Sequence, residues 1–196
     1  LDQCVRDYSP DVGDVTLINT EATEVVLKSG VREVTILQSG ASSFFEADLS
    51  KDDFIRNARY DLNAMAGASI WPSVDVQGFA ETPAGNFTVY KPNFGATLPN
   101  ISRTVELSWD ASNPGDVILV YIGRYEGTTL KEVVTCSLRD DGDHIISSSL
   151  FSGWSTLGQA YVAMGRATTS TAILPHNGSQ SDILGIHWAS GLVWMY

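Results

Sequence analysis

Short runs rich in Val, Ile and Thr recur along the N-terminal part of the chain, with polar or glycine-containing segments between them. Residues 15–18, 24–27 and 33–37 are three such runs, and Gly30 lies between the last two. Branched side chains are stiff and suit a pleated surface, so each run predicts a β-strand. Further strand-like runs occur at residues 44–49, 60–64, 74–78, 105–109, 161–164, 171–174, 183–188 and 192–196.

Two segments depart from this pattern of short alternating runs. Residues 117–122 are apolar without a break, and such a run predicts a central strand that is covered on both faces. Residues 50–55 carry the helical signal, because Ser50 can cap a first turn and Asp53 would lie near its positive end. This second segment is too short for more than one or two turns.

Many short strands with turns between them, and no helix of useful length, predict an all-β protein. We therefore predict an antiparallel two-sheet β-sandwich in a single domain that spans residues 1–196. Residues 82–103 contain Pro83, Gly85, Pro92, Gly95 and Pro99, and are expected to cross between the two sheets. A subdivision near residue 103 stays open.

Composition allows a substantial core and argues against two classes of partner. Hydrophobic residues make up 43% of the 196 residues and charged residues 18%, which disfavours disorder. The formal net charge is −11, so nucleic acids and anionic membrane surfaces would be repelled. No apolar run reaches the length of a membrane span, so we predict none.

The two cysteines, Cys4 and Cys136, are the candidate disulfide partners. Neither belongs to a C-x-x-C motif, so a structural zinc site is not expected. A bridge between them would link the N-terminal region to the middle of the chain, but only geometry decides whether it forms. The sequence begins at Leu1 rather than Met, consistent with a processed export signal and equally with a trimmed sequence. We predict an exported protein, located outside the cell or in the cell envelope.

An acidic cluster raises the question of a metal or catalytic site. Asp140, Asp141 and Asp143 surround Gly142, and His144 follows them. Strand-like residues lie on both sides, so the Asp-Gly dipeptide predicts the turn of a β-hairpin. A helix-loop-helix calcium site would need about twelve residues and a closing Glu. We predict a plain turn; a weak surface cation site and a pair of catalytic carboxylates are the alternatives.

Sequence motifs for catalysis are not found. The chain has no G-x-S-x-G, no H-E-x-x-H and no phosphate-binding Gly-Lys motif, which leaves no basis for assigning an enzyme mechanism. His144, His176 and His187 lie on separate segments, so a three-histidine metal site would form only if the fold gathered them. We predict no enzyme, no metal and no cofactor.

Tryptophans could supply a platform for stacking sugars. Trp109 and Trp188 lie in alternating strands, which favours core packing. Trp71 and Trp154 have Pro, Ser or Gly as neighbours, so we expect these two to be exposed. The chain also has N-x-S/T triplets at Asn86, Asn100 and Asn177, which matter only where the source glycosylates proteins.

The second half of the chain resembles a group of uncharacterised exported bacterial proteins with an immunoglobulin-like β-sandwich. The resemblance begins at residues 60–64 and the glycine-rich turn at 67–70. It continues through the Pro-rich passage 83–99, Leu107-Ser108-Trp109, residues 117–122, Cys136 with Asp141-Gly142, and residues 185–194. It covers about residues 60–196 and implies the sandwich fold and export, with no assigned catalytic residue. The first 45 residues do not match it.

These observations lead to two functional hypotheses. The first is a non-enzymatic, exported structural or cell-surface β-sandwich module that self-assembles by pairing edge strands. Residues 15–37 and 192–196 are the segments proposed for that pairing. The alternative is a carbohydrate- or ligand-binding module that uses Trp71, Trp154 or nearby tyrosines. The sequence leaves the ligand-binding residues of such a module unknown.

Overall fold

The computed structural model describes residues 2–8, 24–38, 45–46, 55, 57–64, 73–83, 87–95, 98–111, 116–154, 158–173, 178 and 180–196. In these ranges the chain is all-β, as predicted, and its one helical element is a 3₁₀ turn at Ser148–Phe151. The strands are β1 (Gln3–Tyr8), β2 (Glu24–Ser29), β3 (Arg32–Gln38), β4 (Phe45–Glu46), β5 (Arg59–Ala64), β6 (Val74–Glu81), β7 (Val89–Lys91), β8 (Asn100–Ile101), β9 (Val105–Trp109), β10 (Val117–Glu126), β11 (Thr129–Arg139), β12 (Asp143–Ile146), β13 (Gly158–Ile173) and β14 (Gln180–Met195).

The described strands form three sheets instead of the predicted two. The largest has six strands in the order β1-β11-β10-β13-β14-β8, and the others have the orders β12-β9-β7 and β4-β3-β2-β5-β6. The prediction of purely antiparallel strands is wrong at one place, because β14 and β8 pair in parallel at Trp194 with Asn100 and Met195 with Ile101. The parallel pair is only two residues long, and no local sequence signal marks it.

The six-stranded and three-stranded sheets share one hydrophobic core. Ile118, Val120 and Ile122 of β10 alternate into it from the larger sheet, and Leu107 and Trp109 of β9 enter from the smaller one. The buried positions follow the period-two alternation of a strand. β10 lies between β11 and β13, which confirms the predicted central strand. Its other face is only partly buried, at Val117, Leu119 and Tyr121, so the prediction that both faces are covered is wrong in its extent.

The chain divides into two compact units. One comprises Leu1–Val12, Ala84–Ala167 and Ile186–Tyr196, and the other comprises Gly13–Pro83 and Thr168–Gly185. Residue 103, where the sequence analysis left a subdivision open, lies inside the first unit. The hydrophobic core described above belongs to the first unit, and the five-stranded sheet belongs to the second.

The acidic turn connects two sheets and does not close a hairpin. Asp140, Asp141 and Gly142 form a bend, as predicted, and Gly142 has a φ of 104°, which favours glycine. However, β11 belongs to the six-stranded sheet, whereas β12 pairs antiparallel with β9 in the three-stranded sheet. The predicted hairpin is therefore wrong, because an Asp-Gly turn fixes the backbone bend but not the partner of the following strand.

Both segments predicted to form assembly edges, residues 15–37 and 192–196, already pair in part within their own sheets. In the second segment, Trp194 and Met195 pair with β8. In the first, residues 24–27 lie in the middle of a sheet. β2 pairs with β3 on one side and with β5 on the other, so the backbone groups of residues 24–27 are already engaged. Residues 15–18 and the capping position Ser50 lie outside the described residues. Over the part of the chain that is described, no helix is long and apolar enough to cross a membrane.

Candidate binding site

The outward face of the six-stranded sheet carries aromatic side chains. Tyr121 on β10 lies directly opposite Ala163 on β13, and Gly123 lies opposite Tyr161. Residues that are opposite each other in neighbouring strands project on the same face of a sheet. Because Ile118, Val120 and Ile122 project into the core, the alternate position Tyr121 and its cross-strand neighbours face away from the core.

These side chains, with the adjacent part of β14, line a groove of about 490 Å³. Its lining residues are Tyr121, Tyr125, Tyr161, Ala163, Trp188 and Ser190, which we call the aromatic groove. Trp188 is 47% exposed and Tyr125 is 40% exposed. A volume of this size is within the range typical of small-molecule sites, which are mostly apolar with a few polar groups.

The tyrosines of the aromatic groove hold each other in place. The rings of Tyr121 and Tyr161 meet edge to face, with centroids 6.2 Å apart and planes inclined by 65°. The hydroxyl oxygens of Tyr121 and Tyr125 lie 3.3 Å apart. Burial and the hydrogen bond with Tyr125 raise the pKa of Tyr121. The Tyr121 phenol is therefore neutral at physiological pH and can both donate and accept a hydrogen bond.

Glycine residues make room for the aromatic rings against the sheet. A Cβ placed on Gly165 of β13 would lie 2.5 Å from Cγ2 of Ile186 and 2.8 Å from Cε3 of Trp188. A Cβ on Gly123 of β10 would lie 2.8 Å from Cε1 of Tyr121. The absence of side chains at these two positions lets the Trp188 and Tyr121 rings lie close to the backbone. The two glycines therefore let the aromatic rings lie flat enough to form a groove on the sheet surface.

The groove has no charged lining residue among those described. The polar groups of its side chains are the hydroxyls of three tyrosines and of Ser190 and the indole N–H of Trp188. Such a surface offers ring faces for apolar contacts and neutral donors and acceptors for hydrogen bonds. It is suited to a neutral ligand that has both C–H-rich faces and hydroxyl groups.

A second, more polar groove of about 390 Å³ adjoins the C-terminal end of β14. Its lining includes Tyr90, Asn100, Glu106 and Tyr196; we call it the polar groove. Within it, Nζ of Lys91 donates to Oε2 of Glu106 at 2.8 Å. This hydrogen bond and the accompanying charge attraction raise the pKa of Lys91 and lower that of Glu106. The two charges therefore largely neutralise each other at physiological pH.

The acidic cluster has a structural role centred on Asp140. One carboxylate oxygen of Asp140 accepts from Nε1 of Trp109 and the other accepts from Nε of Arg166, each at 2.7 Å. Asp140 is buried, while Asp141 and Asp143 are exposed. Within the described residues, no three His, Cys, Asp or Glu side chains come together as a metal-binding group. The backbone bends where the sequence predicts a turn, but Asp140 also forms a buried ion pair with Arg166 that the sequence does not reveal.

The tryptophan predictions hold for one residue and fail for two. Trp109 is buried, as predicted, but Trp188 is exposed, although it was predicted to be in the core. Trp154 was predicted to be exposed and is buried at 3% exposure. Its ring packs edge-on against Phe151 with centroids 5.1 Å apart, and its Nε1 donates to Glu132. Trp71 lies outside the described residues.

The described histidines and the described sequence triplet add no further site. His144 belongs to β12 and His187 to β14, where its ring centroid lies 6.4 Å from that of Phe87. His176, Asn86 and Asn177 lie outside the described residues. Asn100 is exposed and lines the polar groove.

The structure pairs Cys4 with Cys136 in a disulfide. The two residues lie directly opposite each other in the antiparallel pair of β1 and β11. Glu132 of β11 accepts hydrogen bonds from Arg6 of β1 and from Arg124 of β10. Burial by itself would raise the pKa of Glu132, but the hydrogen bonds from Arg124, Arg6 and Trp154 outweigh it and lower that pKa. A covalent bond and an ion cluster therefore hold β1 on the sheet.

Comparison with known proteins identifies no relative of this chain: no protein-family model matches the sequence, and no curated protein or solved structure is significantly similar to it.

Proposed function

We propose that the chain is a non-enzymatic, exported β-sandwich module that binds neutral carbohydrate through the aromatic groove. The observation that carries the proposal is the groove that Tyr121, Tyr125, Tyr161 and Trp188 form on the outward face of the six-stranded sheet, where Tyr125 and Trp188 are exposed. This develops the ligand-binding alternative, but with aromatic residues different from Trp71 and Trp154.

The chemistry of the groove matches that of a sugar ring. A pyranose has apolar faces made of C–H groups and an edge of hydroxyls. Exposed aromatic rings can cover the faces, and Tyr and Trp do so while keeping a polar tip for hydrogen bonding. The hydroxyls of Ser190 and the tyrosines can bond the sugar hydroxyls as donors or acceptors.

Charge favours a neutral glycan over a charged one. The chain carries a formal net charge of −11, so a polyuronate or a sulfated polymer would be repelled at long range. The aromatic groove has no cationic lining residue among the described ones to offset that repulsion. A neutral polysaccharide or oligosaccharide has no such cost.

Two further observations support the fold and location parts of the proposal. The six-stranded and three-stranded sheets share a single core, which is the arrangement expected of a sandwich and compatible with the immunoglobulin-like resemblance. A disulfide between Cys4 and Cys136 suits an oxidising compartment, where such bonds persist. Extracellular space and the cell envelope are compartments of that kind.

Self-association by edge-strand pairing is the second candidate function. It is favoured by β3, because β4 pairs only with Leu37 and Gln38 in the described part of the chain. Among the described residues no strand pairs with the rest of that edge of β3, which could accept a strand of another copy. This candidate corresponds to the structural or cell-surface module proposed first from the sequence, and it predicts that the protein forms oligomers.

A glycan array probed with the immobilised protein tests the proposal. We expect reproducible binding to neutral glycans, none to polyuronates, and loss of the signal in a Trp188→Ala variant. Ile145→Ala is the matched control, because Ile145 is an exposed apolar residue on β12, away from the groove. If neither protein nor variant binds any neutral glycan while light scattering shows concentration-dependent oligomers, the carbohydrate proposal is wrong and self-association replaces it.

A further inference from the structure

We infer that the ligand is an extended chain of several sugar units that lies along the outer face of β14, from the aromatic groove to the polar groove. This inference rests on the proposed function and adds the length and path of the ligand. It depends on a row of outward-facing residues on β14, of which each groove contains only a part.

The row follows the alternation of β14. Trp188, Ser190, Leu192 and Trp194 are exposed, and Tyr196 continues the series at the next alternate position. The positions between them are less exposed, and Val193 and Met195 are buried at 0% and 1% exposure. With about 3.3 Å per residue, the distance from Trp188 to Tyr196 is roughly 26 Å. A row of that length exceeds a disaccharide.

The two grooves lie at the two ends of this row. Trp188 and Ser190 line the aromatic groove, and Tyr196 lines the polar groove. Trp194 pairs with Asn100, and the backbone N–H of Tyr196 donates to the carbonyl of Ile101 at 3.1 Å. These contacts fix the polar groove next to the end of the row. Tyr196 belongs both to the row and to the lining of the polar groove. A ligand that follows the row along β14 therefore reaches the polar groove at Tyr196.

The polar groove can hold the end of a glycan chain. Tyr90 is 58% exposed and Tyr196 is 60% exposed, so each offers ring surface to a sugar. Asn100 adds an amide that can donate and accept hydrogen bonds. Lys91 and Glu106 form an ion pair, so the polar groove presents no excess charge that would select an ionic ligand.

Charge also distinguishes the glycan from a second copy of the chain as the occupant of this face. None of the five outward positions from Trp188 to Tyr196 is charged. A second copy would bring another net charge of −11 close to the first, and the two molecules would repel each other. A neutral glycan covers the same apolar side chains without that repulsion.

Binding as a function of oligosaccharide length tests the inference. Calorimetric titrations use neutral β-1,4-linked oligomers of glucose, N-acetylglucosamine, mannose and xylose, from one to six units. In at least one series we expect the affinity to rise beyond the disaccharide. Trp194→Ala should lower the affinity for the longest oligomer about tenfold. The affinity for the shortest oligomer that binds should not change, because Trp194 contacts only a ligand that extends along β14.

Matched variants separate this effect from a loss of folding. Trp194→Phe keeps a ring and should restore most of the affinity, and Ile145→Ala should bind like the unaltered protein. Affinity that is already maximal for one or two units, or insensitive to Trp194→Ala, overturns the extended path and leaves the proposed function standing. If no series binds at any length, both fail. Loss of dimers in Trp194→Ala, with no glycan binding, would assign the face to a second copy.

Discussion

Asp140 and Arg166 form an ion pair in the interior of the first unit, with Nε of Arg166 2.7 Å from the carboxylate and both side chains inaccessible to solvent. Trp109 donates to the same carboxylate, and the guanidinium of Arg166 lies over the ring of Phe87, 5.2 Å from its centroid. The acidic turn therefore anchors β11 to β9 and β13 through a buried network. A paired and hydrogen-bonded charge of this kind is tolerated only with its partner in place.

We predict that Asp140→Asn lowers the free energy of unfolding by about 3–5 kcal/mol. The buried Arg166 would keep only the carboxylate of Asp110 as a counter-charge, which is 3.7 Å from its guanidinium and partly exposed. Asp143→Asn, which makes the same chemical change at an exposed position of the neighbouring strand, should change it by less than about 0.5 kcal/mol. Chemical denaturation of the three proteins measures both values. Equal stability of the Asp140→Asn variant and the unaltered protein would contradict the importance of the pair.

The Cys4–Cys136 disulfide should contribute substantially to stability. It joins residues separated by 132 positions, and closing so long a loop in the unfolded chain is worth about 4–5 kcal/mol on the chain-entropy model. A Cys4→Ala/Cys136→Ala variant should therefore unfold at lower denaturant concentration, and a reductant should not weaken that variant further. Mass spectrometry of the native oxidised protein should detect no alkylatable thiol; finding two would rule out the bond and weaken the argument for export.

Acid should destabilise the protein through Glu132. Its pKa is lowered in the folded state, so between the folded and unfolded pKa values the unfolded chain binds more protons. The resulting stabilisation is fully present above about pH 5 and is lost as the pH falls through the unfolded pKa of about 4.3 towards the lower folded one. We predict that Glu132→Gln is less stable at pH 7 by about 2–4 kcal/mol.

Measuring unfolding between pH 7 and pH 3 tests this assignment. The Glu132→Gln variant should lose less stability over that range than the unaltered protein. Glu126→Gln serves as the control, because Glu126 also pairs with Arg124 but is 60% exposed, and it should keep the original pH profile. Parallel profiles for Glu132→Gln and the unaltered protein would show that another group controls the acid transition.

The sequence predicted the fold class because period-two alternation and β-branched residues are local signals. Residues 105–109 form β9 with the expected bounds, and β10 is central as its apolar run indicated. Local signals do not specify which strands pair. The Asp141-Gly142 turn was recognised, but the preference of β12 for β9 over β11 depends on tertiary contacts, such as the bond from Trp109 to Asp140.

The site could be predicted only in part, for a related reason. The core prediction for Trp188 is wrong because alternation shows that two faces exist but not which of them is covered. The surface prediction for Trp154 is wrong because it rests on the Gly and Ser neighbours, which mark a turn but not the exposure of the ring. Trp154 is buried through its contact with Phe151 and its bond to Glu132, both set by the fold. One signal was present in the sequence: Gly123 and Gly165 lie within strands, and glycine in a strand interior often marks a close approach of another group. Here it marks the rings of the aromatic groove.

The most direct test of the carbohydrate proposal follows the indole N–H signals in two-dimensional NMR during titration with neutral oligosaccharides. Trp109 is buried and bonded to Asp140, so its signal is an internal control, and Trp188→Phe identifies the signal of Trp188 by its disappearance. We predict that the Trp188 signal shifts in a saturable manner while the Trp109 signal stays in place. A Trp188 signal unchanged by every neutral glycan, or one that shifts no more than that of Trp109, would contradict the account.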